Sequence, residues 1–223
     1  MTIGGRIAIG FGLFIFFALV VVVLTNVSLE RGRVINSRIN DVYGPSVDAL
    51  VRLRNLVSNS RMLSKHWALV ISIPDAPEKV ALNHITEHEL PMLMDRIDTL
   101  QGSWDKEEVA LMSKVFLGMD SLFSLQASVK DTLPSLSSYS DPLKFLWRSE
   151  WAEEGGPLDQ QARVVLADLE TLLYMLEQRR QEHTSSMIRN FDSLKFVVLY
   201  LGSALVLVGV LVAFFTVRSI VRP

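Results

Sequence analysis

Two uncharged apolar runs, Ile7–Leu24 and Phe196–Val217, stand near opposite ends of this chain and constrain it more than anything between them. As α-helices rising about 1.5 Å per residue, each is long enough to cross a hydrocarbon layer of about 30 Å. A chain anchored at both ends must leave the membrane, fold, and return to it. All 24 acidic residues and 19 of the 22 Lys and Arg lie in the intervening segment, Asn26–Lys195, which is therefore net acidic. That balance offers no basic face to nucleic acid, so none is expected as a partner. The first run exceeds the apolar core of a secretory signal, and "VLTNVSLER" supplies no small-residue cleavage site, so it reads as an uncleaved anchor. Arg6, Arg218 and Arg222 hug the outer ends of the runs and favour a cytoplasmic side for both. With no cysteine in the chain, the segment between must hold itself together by packing alone.

The intervening segment has a helical period. Ile35, Ile39, Val42, Ser46, Ala49, Leu53, Leu56, Ser60, Leu63, Trp67 and Val70 step by fours and threes, the seam of a long first helix. The prolines of "SIPDAPEK" end it, because proline lacks the N–H donor and disfavours helix in the residue before it. A second helix is expected from about Glu78 to Leu100, with Leu90, Leu93, Ile97 and Leu100 on one face and a kink at Pro91. "QGSWDKEE" then gives a turn, and Asp105 with Glu108 forms a capping box for a third helix striped by Val109, Met112, Phe116, Met119 and Phe123. That stripe fades towards Pro134. A long connection follows whose aromatic residues Phe145, Trp147 and Trp151 suit a short helix capping the bundle. After Gly155, Gly156 and Pro157, the residues Leu158, Ala162, Val165, Leu169, Leu172 and Leu176 mark the seam of a fourth helix, which runs unbroken into the second apolar run. "VYGPSV" should bend the first helix where the bundle begins.

The expected fold is all-α: an antiparallel four-helix bundle whose first and last helices continue into two transmembrane helices. Its expected parts are residues 1–6 on the cytoplasmic side, a span at 7–25, an external bundle at 26–195, a second span at 196–217, and a cytoplasmic start at 218–223.

Three stretches carry a family likeness: "RIAIGFGLFIFFALVVVV", "INDVYGPSVDALVRLRNLVSNSRML" and the closing "RSIVRP". With this architecture the chain resembles bacterial transmembrane receptors that have an external four-helix-bundle sensor, the methyl-accepting chemotaxis proteins and sensor histidine kinases. "RSIVRP" looks like the opening of a HAMP relay, with Pro223 at the position of its proline. The resemblance implies a homodimer in the inner membrane, a central segment on the periplasmic side, and a cytoplasmic output domain following Pro223. It also implies signal relay by the fourth helix and a small anionic ligand or a periplasmic protein as the stimulus. Non-catalytic rivals and enzymes make other demands: a two-span scaffold needs only the bundle, and a membrane-anchored metal hydrolase needs a complete metal site.

Candidate sites follow from residue type and spacing. Arg54, Arg61 and Lys65 form a basic stripe beside the seam at Trp67, itself read as core before ligand platform; the stripe reads as a solvated face paired with acidic residues of a neighbouring helix or as a site for charge-assisted capture of an anionic ligand. "HITEH" has the H-x-x-E-H form of an inverted zinc-peptidase motif, with His84 and His88 on one face and Glu87 as a base, but no third ligand stands out. The simpler reading is a solvated helix face. Arg179, Arg180 and His183 interrupt the fourth seam and suit register control, and the apolar stripe resumes at Met187, Phe191 and Leu194, placing Phe191 in the relay. No Gly-rich phosphate loop, activated nucleophile or paired catalytic carboxylates are present, so neither a cofactor nor catalysis is expected.

Overall fold

The computed structural model describes residues 3–221, and among them every regular element is helical. Seven α-helices are present: α1 (Ile3–Arg38), α2 (Gly44–Leu69), α3 (Pro77–His84), α4 (Leu90–Gln101), α5 (Lys106–Thr132), α6 (Pro142–Ala152) and α7 (Pro157–Val221). A short 3₁₀ turn, Leu136–Ser140, precedes α6. Pro223 lies outside the described residues, as does the side chain of Phe145.

Two π-helical turns, Ile39–Tyr43 and Ile85–Glu89, join α1 to α2 and α3 to α4. Each precedes a proline, Pro45 or Pro91, near the start of the next helix. A proline ring crowds the carbonyl four residues earlier. Those carbonyls belong to Asp41 and Glu87, inside the two wide turns, so the chain absorbs each proline by widening rather than by ending the helix. These two turns fall at "VYGPSV" and just before Pro91, the places where the sequence led to the expectation of a bend and a kink.

The chain divides into two compact units. One comprises residues 1–39 and 181–223; the other is Asn40–Arg180. The Asn40–Arg180 unit is narrower than the bundle expected at 26–195, and the flanking turns of α1 and α7 group with the apolar runs. Two helical stretches, within Phe11–Leu69 and within Pro142–Phe214, are long and apolar enough to cross a membrane, with mean hydropathies of 2.5 and 2.7 and none of either apolar window buried.

The Asn40–Arg180 unit has one apolar core. From α7 it takes Leu158, Ala162, Val165, Leu169, Leu172 and Leu176, all of the expected seam. From α2 it takes Ala49, Leu53, Leu63 and Trp67, together with a second column, Leu50, Val57 and Ala68, because this helix packs against several neighbours rather than one. On α5 the buried column is Met112, Val115, Met119, Leu122, Gln126 and Val129. The expected stripe is corrected here: Val109, Phe116 and Phe123 are only half-buried at its flank, and burial continues to Val129 instead of fading. Gln126 hides the true column by being polar.

Cross-helix pairs give the directions. Between α5 and α7, Lys114 meets Asp168 at 2.7 Å and Gln161 Nε2 donates to the Gly118 carbonyl at 2.9 Å, so one residue number falls as the other rises and the two helices run antiparallel. Between α2 and α5, Trp104 Nε1, just ahead of α5, donates to Ser46 Oγ at 2.9 Å, and Gln126 Nε2 donates to Ser60 Oγ at 3.1 Å, so these two run parallel. Ser64 Oγ donates back to the Ser60 carbonyl at 2.7 Å. Such buried polar links fix which turn of α2 faces which turn of α5, since any slip would strand a donor away from water.

Candidate functional site

The basic stripe of α2 meets its anion within the chain. Asp159, in the first turn of α7, is fully buried, and its carboxylate lies 2.8 Å from both Arg61 Nη2 and Lys65 Nζ. Its other oxygen accepts from Arg163 Nε at 2.9 Å, one turn along α7, and from the Gly155 N–H at 3.1 Å. Burial alone would raise the Asp159 pKa. The Lys65 ammonium, the Gly155 N–H and the Arg61 guanidinium outweigh that effect and hold the carboxyl well below the usual carboxylate range.

Local chain geometry places this group. Gly155 has φ +85°, a left-handed conformation that glycine adopts without penalty, and it turns the chain into α7. A Cβ on Gly156 would come within 2.5 Å of the Glu150 carbonyl oxygen and 2.7 Å of that of Trp151. With Pro157 opening α7, Asp159 falls in the first turn, where a carboxylate also meets the positive end of the helix dipole. Arg54, about two turns earlier on α2, does not join the junction.

Trp67 is likewise committed internally. Its indole Nε1 donates to the Leu133 carbonyl at 3.2 Å, and its own carbonyl accepts from the Tyr139 hydroxyl at 2.7 Å. Lys79, also buried, sets its ammonium 5.0 Å from the Trp67 ring and 5.1 Å from the Tyr139 ring while donating to the Ser72 carbonyl at 3.1 Å. Lys130 lies 6.0 Å from the Trp67 ring and the Arg148 guanidinium 5.4 Å from that of Tyr139. Partial burial lowers the Lys130 pKa, opposed by Glu87. Three cations and two aromatic faces thus close one end of the bundle, each ring offering its negative face to a charge. On α6, Trp147 and Trp151 stack with centroids 4.6 Å apart.

The "HITEH" residues part company. His84 and His88 stack 5.6 Å apart, His84 Nδ1 pairs with Glu89 at 3.2 Å, and Glu87 turns to Lys130 at 3.8 Å. Among the described residues, no group of three or more His, Asp or Glu is placed to hold a metal ion. Arg179 bridges α7 to the start of α5, contacting Asp105 and approaching Glu108 at 3.7 Å, where Glu108 completes the expected capping box by accepting from the Asp105 N–H. His183 belongs to the other unit and is half-buried there. In that same unit Phe191 covers Gly32 of α1, its ring 3.5 Å from where a Cβ would stand.

Of the residues singled out from the sequence, the structure joins Arg61 and Lys65 at one carboxylate and brings Trp67 to the aromatic end, while Arg54, His84, His88 and Phe191 stand apart from both. Sequence reasoning missed Asp159, Lys79 and Tyr139. Only Asp159 left a signal, an acid three residues after a Gly-Gly turn. Compared with known proteins, the chain matches no family model, no curated protein and no solved structure.

Proposed function

We propose that this chain is the input part of a homodimeric transmembrane receptor of the bacterial inner membrane, with the Asn40–Arg180 unit as a periplasmic sensor and α7 as the element that carries the signal inward. The observation that supports this reading best is α7 itself, one helix from Pro157 to Val221 that begins at the buried Asp159 junction and includes the second apolar run. A stimulus that repacks α2 against α7 acts on the same helix that enters the membrane. Packed helix interfaces switch between discrete arrangements rather than deforming smoothly, which suits relay by a small shift or rotation. The output domain belongs to the cytoplasmic side in this reading, and the sensor itself performs no catalysis.

One observation favours a second reading. Because Arg61 and Lys65 both already bond to the Asp159 carboxylate, their donors are engaged within the chain, which suits a scaffold bundle or a receptor for a protein rather than for a small anion.

A test needs no known stimulus. The native chain lacks cysteine, so Val210→Cys reports contact between two copies through disulfide formation in membranes. Asp159→Asn, which loosens the α2–α7 junction, is expected to change that rate at least about twofold if packing in the bundle reaches the span. An unchanged rate sinks the relay and leaves the scaffold, and no crosslink at any position along the apolar part of α7 removes the dimer.

A further inference from the structure

We propose that one end of the Asn40–Arg180 unit, the end carrying residues 69–73 and α6, docks a protein that presents an apolar patch framed by lysine and arginine. The proposal stands apart from the receptor reading, because a sensor and a scaffold alike would use such a surface.

Tyr139 ties this end together. Its hydroxyl donates to the Trp67 carbonyl at 2.7 Å, close to the last turn of α2. The Lys79 ammonium lies 5.1 Å from its ring and donates at 3.1 Å to the carbonyl of Ser72, the residue between Ile71 and Ile73. The Arg148 guanidinium of α6 lies 5.4 Å from the same ring. The segment after α2, the short turn at Leu136–Ser140 and α6 therefore meet at one end of the bundle.

That end inverts the usual division between inside and outside. Lys79 is 1% exposed and Arg148 6%, whereas Ile71 and Ile73 are each 61% exposed, Leu143 78% and Leu146 66%. Leu69 and Leu136 are exposed as well. Lysine and arginine are seldom enclosed, and a surface serving solubility alone would turn its cations to water and its leucines inward. Single exposed apolar residues are ordinary. A group drawn from three adjoining segments marks a surface for another molecule.

Charge selects the occupant. Asp75, Glu78 and Glu150 lie among these residues in sequence, are exposed or half-buried, and among the described residues pair with no cation. The cations of this end are withdrawn or engaged: Lys79 and Arg148 are buried, and Lys130 faces Glu87 at 3.8 Å, which leaves the half-buried Lys144. A second copy of the chain would bring the same acids against these, and an anionic lipid surface would be repelled likewise. A protein with basic residues around an apolar patch satisfies both features at once.

The full chain in its native cells tests this, with the photo-crosslinking residue benzoylphenylalanine placed at Ile71 or Leu143. Leu117 of α5 and Tyr174 of α7, exposed apolar sites away from this end, serve for comparison. The expected adduct is one protein, the same at Ile71 and Leu143 and absent at Leu117 and Tyr174. Purified, that protein is expected to bind the chain with an affinity lowered about tenfold by Leu143→Asp and by Glu150→Lys, and weakened by salt. Glu170→Lys, at an exposed position farther along α7, is expected to leave it unchanged. Unfolding midpoints in urea, expected to match those of the native chain, establish that each variant folds. No adduct specific to the two positions, an adduct of the chain with itself or with lipid, or binding insensitive to Glu150→Lys overturns the proposal and leaves the receptor reading standing.

Discussion

The two units of this molecule are built from the same helix but spend apolar surface in opposite ways. In Asn40–Arg180, leucines such as Leu53, Leu169 and Leu172 are fully enclosed, and polar side chains link one helix to the next. Along α1 and the later part of α7, residues as large as Phe11, Phe16, Leu207 and Phe214 stand exposed. A helix that must bury one face in water shows a stripe with polar residues opposite; one surrounded by hydrocarbon needs no polar face. The difference teaches that periodicity, not apolar content, separates the two kinds of helix within a single chain.

The largest expected effect breaks the enclosed core. Leu169→Ala, at a fully buried site, should cost about 3 kcal/mol in urea unfolding, whereas Leu207→Ala should leave that transition unmoved. All four tryptophans, Trp67, Trp104, Trp147 and Trp151, lie in the Asn40–Arg180 unit, so intrinsic fluorescence reads it selectively.

Next comes the Asp159 junction. Asp159→Ala should cost about 2–3 kcal/mol, less than for a wholly enclosed pair because Arg61 and Lys65 keep some access to water. The folded-state pKa of Asp159 lies below the unfolded value of about 3.9, so its contribution is complete at pH values above that figure and is lost as pH falls through it towards the folded value. Unfolding midpoints of the native chain should therefore drop more steeply below about pH 5 than those of Asp159→Ala. Parallel pH profiles would remove the junction's electrostatic role.

A smaller effect belongs to Gly118, where α5 approaches α7 so closely that a Cβ would stand 2.9 Å from Val165 Cγ2. Gly118→Ala should cost about 1–2 kcal/mol, since the β-branched neighbour has little freedom to withdraw. Smallest is Ser60→Ala, about 1 kcal/mol, from the amide of Gln126 left without its acceptor.

Legibility in the sequence followed the range of the interactions. The α7 seam could be read residue by residue because its period is local, and so could the capping box at Asp105 and Glu108. The α5 column was misplaced because Phe116 and Phe123 look like core while Gln126 does not, and only the partner Ser60 on α2 explains why an amide is buried there. The basic stripe was legible as a face that would pair with acids of a neighbouring helix, but not which acid: Arg61 and Lys65 share a carboxylate far along the chain, and pairing at that separation leaves no periodic trace. Lys79 between two aromatic rings is of the same kind.

The central claim is that one continuous helix, α7, passes from water into hydrocarbon. Single cysteines at Val164, Tyr174, Val206 and Val210, whose residues are 50%, 71%, 66% and 63% exposed, test it with a membrane-impermeant maleimide on reconstituted vesicles. Because the four positions are comparably accessible in the chain itself, any difference in labelling belongs to the surroundings. Rapid labelling at Val164 and Tyr174 with none at Val206 and Val210 is the expected result. Equal labelling at all four would mean that the apolar half of α7 stands in water, and the account would fail.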